Sequence, residues 1–183
     1  MKSARNEYSE SPFYYTEVFE GAPRTIAWHE STDSQIAIFY ELLDLLEDRV
    51  EYLFKEDTGE TDGHEKWSRI SGGIYKSALI ELIQKHEKWF FGDSVFQFCF
   101  REPESESYVA YDEHGLFFIY NMTDCEKTLQ KQGLQNVEKE LITAKPHWAV
   151  RVKDSEQKLG LFKEDLKEKS VFYDDEAEPA GSS

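Results

Sequence analysis

The apolar residues of the chain follow a helical period first and a strand period later. Between residues 31 and 55 they recur at alternating spacings of three and four, which keeps them within one arc of a helix that turns about 100° per residue. This arc contains Ile36, Phe39, Leu43, Leu46, Val50 and Leu53. Ser31, Thr32 and Asp33 offer N-cap side chains before it. The pattern predicts a long helix over 33–55.

A second amphipathic helix is predicted over 74–90. Its apolar side consists of Ile74, Ala78, Leu82, Ile83, Trp89 and Phe90. Gly92 and Asp93 follow, and this pair is expected to end the helix. The connection between the two helices, residues 57–65, contains turn-forming residues and almost no apolar side chain, so we expect a loop there.

After Gly92 the apolar period changes from about 3.6 to about 2. In residues 94–101 the apolar positions are Phe96, Phe98 and Phe100, which alternate with other residues along a predicted strand. Two further β-prone runs, 108–112 and 116–120, flank a tight turn. Residues 94–120 are therefore predicted to form a three-stranded antiparallel meander.

Shorter elements are predicted near the two ends of the chain. Two β-prone runs at 13–19 and 25–28 suit a hairpin, and a short helix should follow Asp124 and end near Gly133. Residues 147–152, HWAVRV, read as a strand. Residues 158–167 leave two alternatives open. They either return as the second strand of a C-terminal hairpin, or form a helix through the spacing of Leu159, Phe162 and Leu166.

Consecutive helices followed by consecutive strands predict an α+β fold. We expect two long helices packed on an antiparallel β meander, with the additional C-terminal hairpin as the open alternative. Residues 1–173 are predicted to form a single globular domain, and 174–183, which lack an apolar anchor, a disordered acidic tail.

The charge of the chain narrows the classes of partner. Its 183 residues include 37 Asp and Glu against 21 Lys and Arg, a net charge of −16. Such a field repels phosphate backbones and anionic lipids, so direct nucleic-acid or membrane binding is disfavoured and a basic protein partner is favoured. The two cysteines are too few for a disulfide framework, and no secretory signal is recognised, so we expect a cytoplasmic protein with free thiols.

Two sets of residues are candidates for binding a partner. The polar side of the first predicted helix forms an acidic stripe without a lysine four residues along, which is either a solvated face or a recognition surface. This stripe consists of Glu41, Asp44, Asp48 and Glu51. Tyr108 and Tyr111 are candidate aromatic anchors in the meander, because tyrosine is frequent at interface hot spots.

No sequence motif identifies a reaction, and we predict no catalytic residue, cofactor or metal site. Cys99 is expected to be the more buried thiol, because it lies among phenylalanines. If the chain is an enzyme, its site must be assembled from residues distant in sequence, and the candidates are His64, Asp112, His114 and Cys125.

Three hypotheses for function remain. The leading one is a non-enzymatic, acidic, intracellular protein-binding domain of the inhibitor, antitoxin or immunity type, which occludes a basic partner. The first alternative is a hydrolase-like enzyme that uses histidine and carboxylate. The second is a nucleic-acid mimic, in which the acidic stripe imitates phosphate spacing and captures a DNA-binding protein. The sequence gives no prediction of the oligomeric state.

Overall fold

The computed structural model describes residues 11–61, 64–93, 96–139, 152–170 and 172–174, except for the side chains of 57–68 and 172–174. The strands in these ranges are β1 (Phe13–Phe19), β2 (Ala22–Trp28), β3 (Arg49–Thr61), β4 (His64–Tyr75), β5 (Phe96–Arg101), β6 (Tyr108–Tyr111), β7 (Phe117–Tyr120), β8 (Gln135–Asn136) and β9 (Phe172–Asp174). The helices are α1 (Thr32–Asp44), α2 (Lys76–Phe90), α3 (Cys125–Lys131) and α4 (Ser155–Lys169).

All nine strands of the described ranges belong to one sheet, in the order β8-β1-β2-β7-β6-β5-β3-β4-β9. Neighbouring strands are antiparallel except β1 and β8, which are parallel. The predicted α+β class is therefore correct, but the predicted arrangement of two long helices on a meander is wrong. The meander β5-β6-β7 is the centre of a larger sheet, because the hairpins β1-β2 and β3-β4 add to its two edges.

The first helix is much shorter than predicted. α1 begins after the N-cap Ser31, whose hydroxyl accepts a hydrogen bond from the Ser34 amide, and it ends at Asp44. Residues 49–55 of the predicted helix belong instead to strand β3. The residues around Val50 satisfy both periods, and the β-branched and aromatic side chains of Val50, Tyr52 and Phe54 alternate as a strand requires. Pairing with β4 and β5 decides in favour of the strand.

The predicted loop at 57–65 is also wrong, because β3 and β4 extend through most of it as a long hairpin. Their register shifts between Asp57 and Glu60, which marks an irregularity in the ladder. Main-chain pairing along the hairpin thus extends well beyond the residues that carry apolar side chains. Turn-forming composition alone did not distinguish this hairpin from a loop.

Several other predictions are confirmed. The structure contains the β1-β2 hairpin, the antiparallel meander, α2 and the short helix α3. The open choice for residues 158–167 is resolved as helix α4, so there is no hairpin at that position. The strand predicted at 147–152 lies outside the described residues except for its last residue. The predicted tail lies outside them from residue 175 onward, whereas Asp174 pairs with Ser71 as the end of β9.

The helices cover one face of the sheet. α1 contacts α3 and α2, and α2 contacts α4, so the helices follow one another across this face in the order α3, α1, α2, α4. The layer beneath them is rich in aromatic rings that are nearly inaccessible to solvent. It includes Tyr52, Phe54, Phe96, Phe98, Phe100, Tyr111 and Phe117 from the sheet, and Phe39, Phe90, Phe91 and Phe162 from the helices and the end of α2.

Helix α4 is attached to α2 by both apolar and polar contacts. Phe162 lies 5.0 Å from Phe54 and 5.6 Å from Phe90 between ring centroids. At the helix surface Asp165 accepts hydrogen bonds from Lys85 and lies 2.6 Å from His86 Nε2, and these neighbours lower the pKa of its carboxyl group. The combination fixes α4 as part of the main core.

We expect Phe162→Ala to lower the free energy of unfolding by about 3–5 kcal/mol, because it removes a fully buried ring and leaves a cavity. The matched control is Leu161→Ala, on the same helix but half exposed, which should change stability by about 0.5 kcal/mol or less. Urea denaturation followed by circular dichroism measures both. Equal effects of the two substitutions would contradict the packing of α4 on the sheet.

Candidate functional site

The face of the sheet opposite the helices, here called the open face, carries a different set of side chains. Because successive side chains of a strand point to opposite sides, the burial of the aromatic layer turns the intervening residues to the open face. In the centre of the sheet these form an apolar row across four strands, which continues at β2 and β1 into a second buried cluster of Phe13, Tyr15, Ile26 and Trp28. The row consists of Leu53, Cys99, Ala110 and Phe118, which are paired in register and partly exposed.

A polar row crosses six strands beside this apolar row. In order along the sheet it contains Glu17, Arg24, Tyr120, Tyr108, Arg101 and Glu51. The sequence of side-chain types is therefore acid, base, tyrosine, tyrosine, base, acid. We call this row the polar ladder.

The members of the polar ladder contact one another directly. Arg24 forms an ion pair with Glu17 and donates a hydrogen bond to the Tyr120 hydroxyl at 3.2 Å. The rings of Tyr120 and Tyr108 stack with centroids 4.2 Å apart. At the other end Arg101 donates to Glu51 at 2.5 Å. The charges of the ladder thus neutralise each other within the open face.

Local surroundings shift the pKa values of three ladder residues, Tyr108, Glu17 and Arg24. Burial lowers the pKa of Arg24, but its hydrogen bonds to Glu17 and Tyr120 outweigh this effect, so that the pKa is raised. The pKa of Tyr108 is raised, first by burial and then by its hydrogen bond with Tyr120. The pKa of Glu17 is lowered, because Lys139 and Arg24 both donate to its carboxylate. At neutral pH the ladder therefore contains a protonated Tyr108 and an ionised Glu17.

Two hollows lie side by side on the open face. The larger, of about 510 Å³, contains Leu53 and Cys99 together with the ladder residues Glu51, Arg101 and Tyr108. The smaller, of about 180 Å³, shares Leu53 and Cys99 and continues towards Lys55, Gln97, Ala110, Asp112 and Phe118. Together they form one groove along β3 and β5, which we call the open-face groove.

Two neighbouring turns at one end of this groove, together with the last residue of α1, gather six carboxylates, which we call the acidic rim. The first turn joins α1 to β3, and the second joins β5 to β6. The rim consists of Asp44, Glu47, Asp48, Glu102, Glu104 and Glu106. The two turns touch, because the Glu47 amide donates to a carboxylate oxygen of Glu102 at 3.1 Å.

The acidic rim contains more acidic than basic side chains, although Arg49 and Lys76 lie beside it. Within the described ranges, none of its six carboxylates forms an ion pair, whereas Glu17, Glu51 and Asp165 each do. Lys76 lies at the rim, but it donates to the main-chain oxygens of Leu46 and Asp44. All members of the rim are exposed except Glu102, which is partly exposed.

Four of the six predicted partner-binding residues come together here. Asp44 and Asp48 belong to the acidic rim, and Glu51 and Tyr108 line the larger hollow beside it. They do so through sheet pairing and not as a helical stripe, because α1 ends at Asp44. The helix that a nucleic-acid mimic would need for regular phosphate spacing is therefore absent from this stretch of the described chain.

The other two predicted residues lie elsewhere. Glu41 accepts hydrogen bonds from Lys131 at 2.9 Å and from Gln132 at 2.7 Å, which joins α1 to α3. Tyr111 is 1% exposed and donates to Gln35 at 2.7 Å in the core beneath the helices. Tyr111 is therefore not the exposed aromatic anchor that we expected, because it occupies the opposite side of β6 from Tyr108.

Sequence reasoning missed the part of the acidic rim that comes from the second turn. The residues concerned are Glu102, Glu104 and Glu106, which alternate with small residues and a proline in the segment EPESES. This composition is typical of a turn. The density of carboxylates in this segment was the signal from which its part in the acidic rim could have been predicted. The proximity of the segment to Asp44 and Asp48, however, depends on the pairing of β3 with β5.

The candidate enzyme residues do not form one site. Asp112 and His114 share the β6-β7 turn, whereas Cys125 follows the far end of β7, where its thiol lies 3.8 Å from the Thr25 hydroxyl. The side chain of His64 lies outside the described residues. Ligand atoms of Asp112, Glu113 and His114 lie within 4.8 Å of one another. However, Asp112 already accepts hydrogen bonds from two amides of the turn, which accounts for its position.

The prediction for the two thiols is half right. Both cysteines are free, as expected. The expected order of burial is wrong, because Cys125 is 5% exposed beneath α3 whereas Cys99 is partly exposed on the open face. Its position between Phe98 and Phe100 in the sequence places Cys99 on the side opposite their rings. Burial raises the pKa of both thiols, that of Cys99 to about 11.

Comparison with known proteins gives no family for the chain, since no protein-family model, curated protein or solved structure matches it. None of the helices in the described ranges combines the length and apolarity that crossing a bilayer requires. The candidate site therefore has to be interpreted from its own geometry and charge.

We expect Cys99 to react with iodoacetamide before Cys125 in the native protein, because its side chain is the more accessible. The reaction should be about 100-fold slower at neutral pH than that of an unperturbed thiol, and its rate should rise towards pH 11 as the thiolate forms. Peptide mapping by mass spectrometry at successive times measures the order. Earlier modification of Cys125 would contradict the assignment of Cys99 to the open face.

Proposed function

We propose that this protein is a non-enzymatic binding protein of the inhibitor, antitoxin or immunity type, which covers a basic surface of a partner protein. The observation that carries the proposal is the acidic rim, in which six carboxylates of two adjacent turns have no basic partner among the described residues. The rim lies beside a groove that is large enough to receive a side chain of that partner.

The distribution of charge supports a role for the acidic rim in association. Elsewhere on the sheet, opposite charges cancel within ion pairs, such as that of Arg24 with Glu17 and that of Arg101 with Glu51. Charges that are paired contribute little to the field at a distance, whereas unpaired charges of one sign attract a partner of opposite sign and accelerate encounter. The net charge of −16 adds to the same field.

The rim is also suited to binding because its carboxylates, except that of Glu102, which links the two turns, have little part in folding. They lie in turns and are mostly exposed, so their removal leaves the aromatic core intact. A partner that presents several lysine or arginine side chains would find acceptors without having to break internal ion pairs. This combination favours the binding hypothesis over the enzyme hypothesis, whose candidate residues are separated along β7.

The first test identifies partners by affinity capture from the native host and then measures association rates. Replacing Glu104 and Glu106 together with Gln should slow association with a basic partner about 3- to 10-fold at low ionic strength and flatten its salt dependence, because two steering charges are lost. The free energy of unfolding should change by about 0.5 kcal/mol or less, because both side chains are exposed.

The control for this experiment removes the same charge at another site. Glu164 and Glu168 are exposed on α4, and replacing both with Gln also removes two negative charges. This variant should retain most of the association rate. If the two double variants slow association equally, net charge and not the acidic rim is responsible. If only partners without a basic surface are captured, the proposal is wrong.

A further inference from the structure

We propose that the open-face groove binds an extended segment of the basic partner, with one large apolar side chain in the larger hollow and adjacent lysine or arginine residues against the acidic rim. The inference rests on the proposed function, which it deepens by naming the chemistry of the bound segment. It uses the geometry of the groove, which is independent of the charge argument.

The floor of the groove suits an apolar side chain. Leu53 and Cys99 lie in register on β3 and β5 and line both hollows. Tyr108 forms a wall of the larger hollow, held by its stacking on Tyr120. A volume of about 510 Å³ falls in the range of about 300–1,000 Å³ typical of ligand sites, so it accommodates a tryptophan, phenylalanine or leucine side chain together with part of its main chain.

The direction of the groove suits an extended segment. It follows β3 from Glu51 to Lys55, a distance of about 13 Å at the usual rise of a strand. A peptide in the groove therefore spans several residues along the sheet. Its polar groups can meet Arg101 and Glu51 at one end and Gln97 and Lys55 at the other.

Charge complementarity identifies the residues that should flank the apolar side chain. The larger hollow ends at the Glu51 to Tyr108 part of the polar ladder. Beyond Glu51 the chain leads through the exposed Arg49 to Asp48, and Glu102 and Glu106 lie beyond Arg101 and Tyr108. A basic side chain one or two positions from the apolar one is within reach of these carboxylates. Among the described residues that line the larger hollow, Arg101 is the one base, and it is already paired with Glu51.

The test selects binders from a display library of short random peptides, so that no sequence is assumed. The native chain should enrich peptides in which Trp, Phe or Leu is adjacent to Lys or Arg. A selected peptide, synthesised and titrated, should also slow the alkylation of Cys99 and leave that of Cys125 unchanged, because only Cys99 lies in the groove.

Variants that fill the groove provide the decisive comparison. Cys99→Trp places a large ring in both hollows and should weaken binding of the selected peptide about 10-fold or more. Val18→Trp adds the same ring at a position that is 79% exposed near the tip of the β1-β2 hairpin, and it should leave the affinity within about twofold. Cys99→Ala, which leaves the hollows open, should bind as the native chain does. Circular dichroism verifies that each variant is folded.

The outcomes separate the groove from the acidic rim. Selection of basic peptides that lack an apolar residue, or equal binding by the Cys99→Trp and native chains, overturns the groove but leaves the rim proposal intact. If apolar peptides bind the groove equally well after Glu104 and Glu106 are replaced with Gln, the claim that the bound segment is basic is wrong instead. Failure to enrich any peptide overturns the inference, as does binding of a second copy of the chain at this face.

Discussion

The burial of one face of the sheet beneath four helices is the constraint on which the rest of the structure depends. The rings of Phe54, Phe98 and Phe100 must all point to the helices, and a shift of one residue in any strand would expose them. The same alternation leaves Leu53 and Cys99 on the other side. The open-face groove is therefore a consequence of the core, although its side chains are free to change without disturbing that core.

The turns at the ends of the strands are less constrained in their choice of residues than the buried face of the sheet is. Turns need residues that suit the local backbone, but they do not need neutral or apolar ones, so acidic residues can collect there at little structural cost. Within the open face the opposite holds, because strands bring side chains within contact of each other. The polar ladder therefore pairs its charges, while the acidic rim does not.

Local patterns in the sequence were sufficient for elements whose stabilisation is local. The meander, α2 and the first hairpin follow from periodicity and turn residues. The long first helix failed because Leu46, Val50 and Leu53 fit a helix and, in part, a strand, and only the pairing of β3 with β4 and β5 separates them. The site depended on the same distant pairing. The alternation of side chains along β5 does place Cys99 on the face opposite the rings of Phe98 and Phe100. Its aromatic neighbours in the sequence nevertheless suggested that Cys99 is buried.

The acidic rim connects the stability of the fold with its proposed role. Six carboxylates in two touching turns repel one another, and this repulsion opposes the folded state by an amount that salt reduces. Salt relieves it without discrimination, because it screens all charges alike. The basic partner proposed above would relieve it specifically, because it would bind only where the fold has assembled both turns. Repulsion that is unfavourable in the isolated chain would then be a source of affinity in the proposed complex.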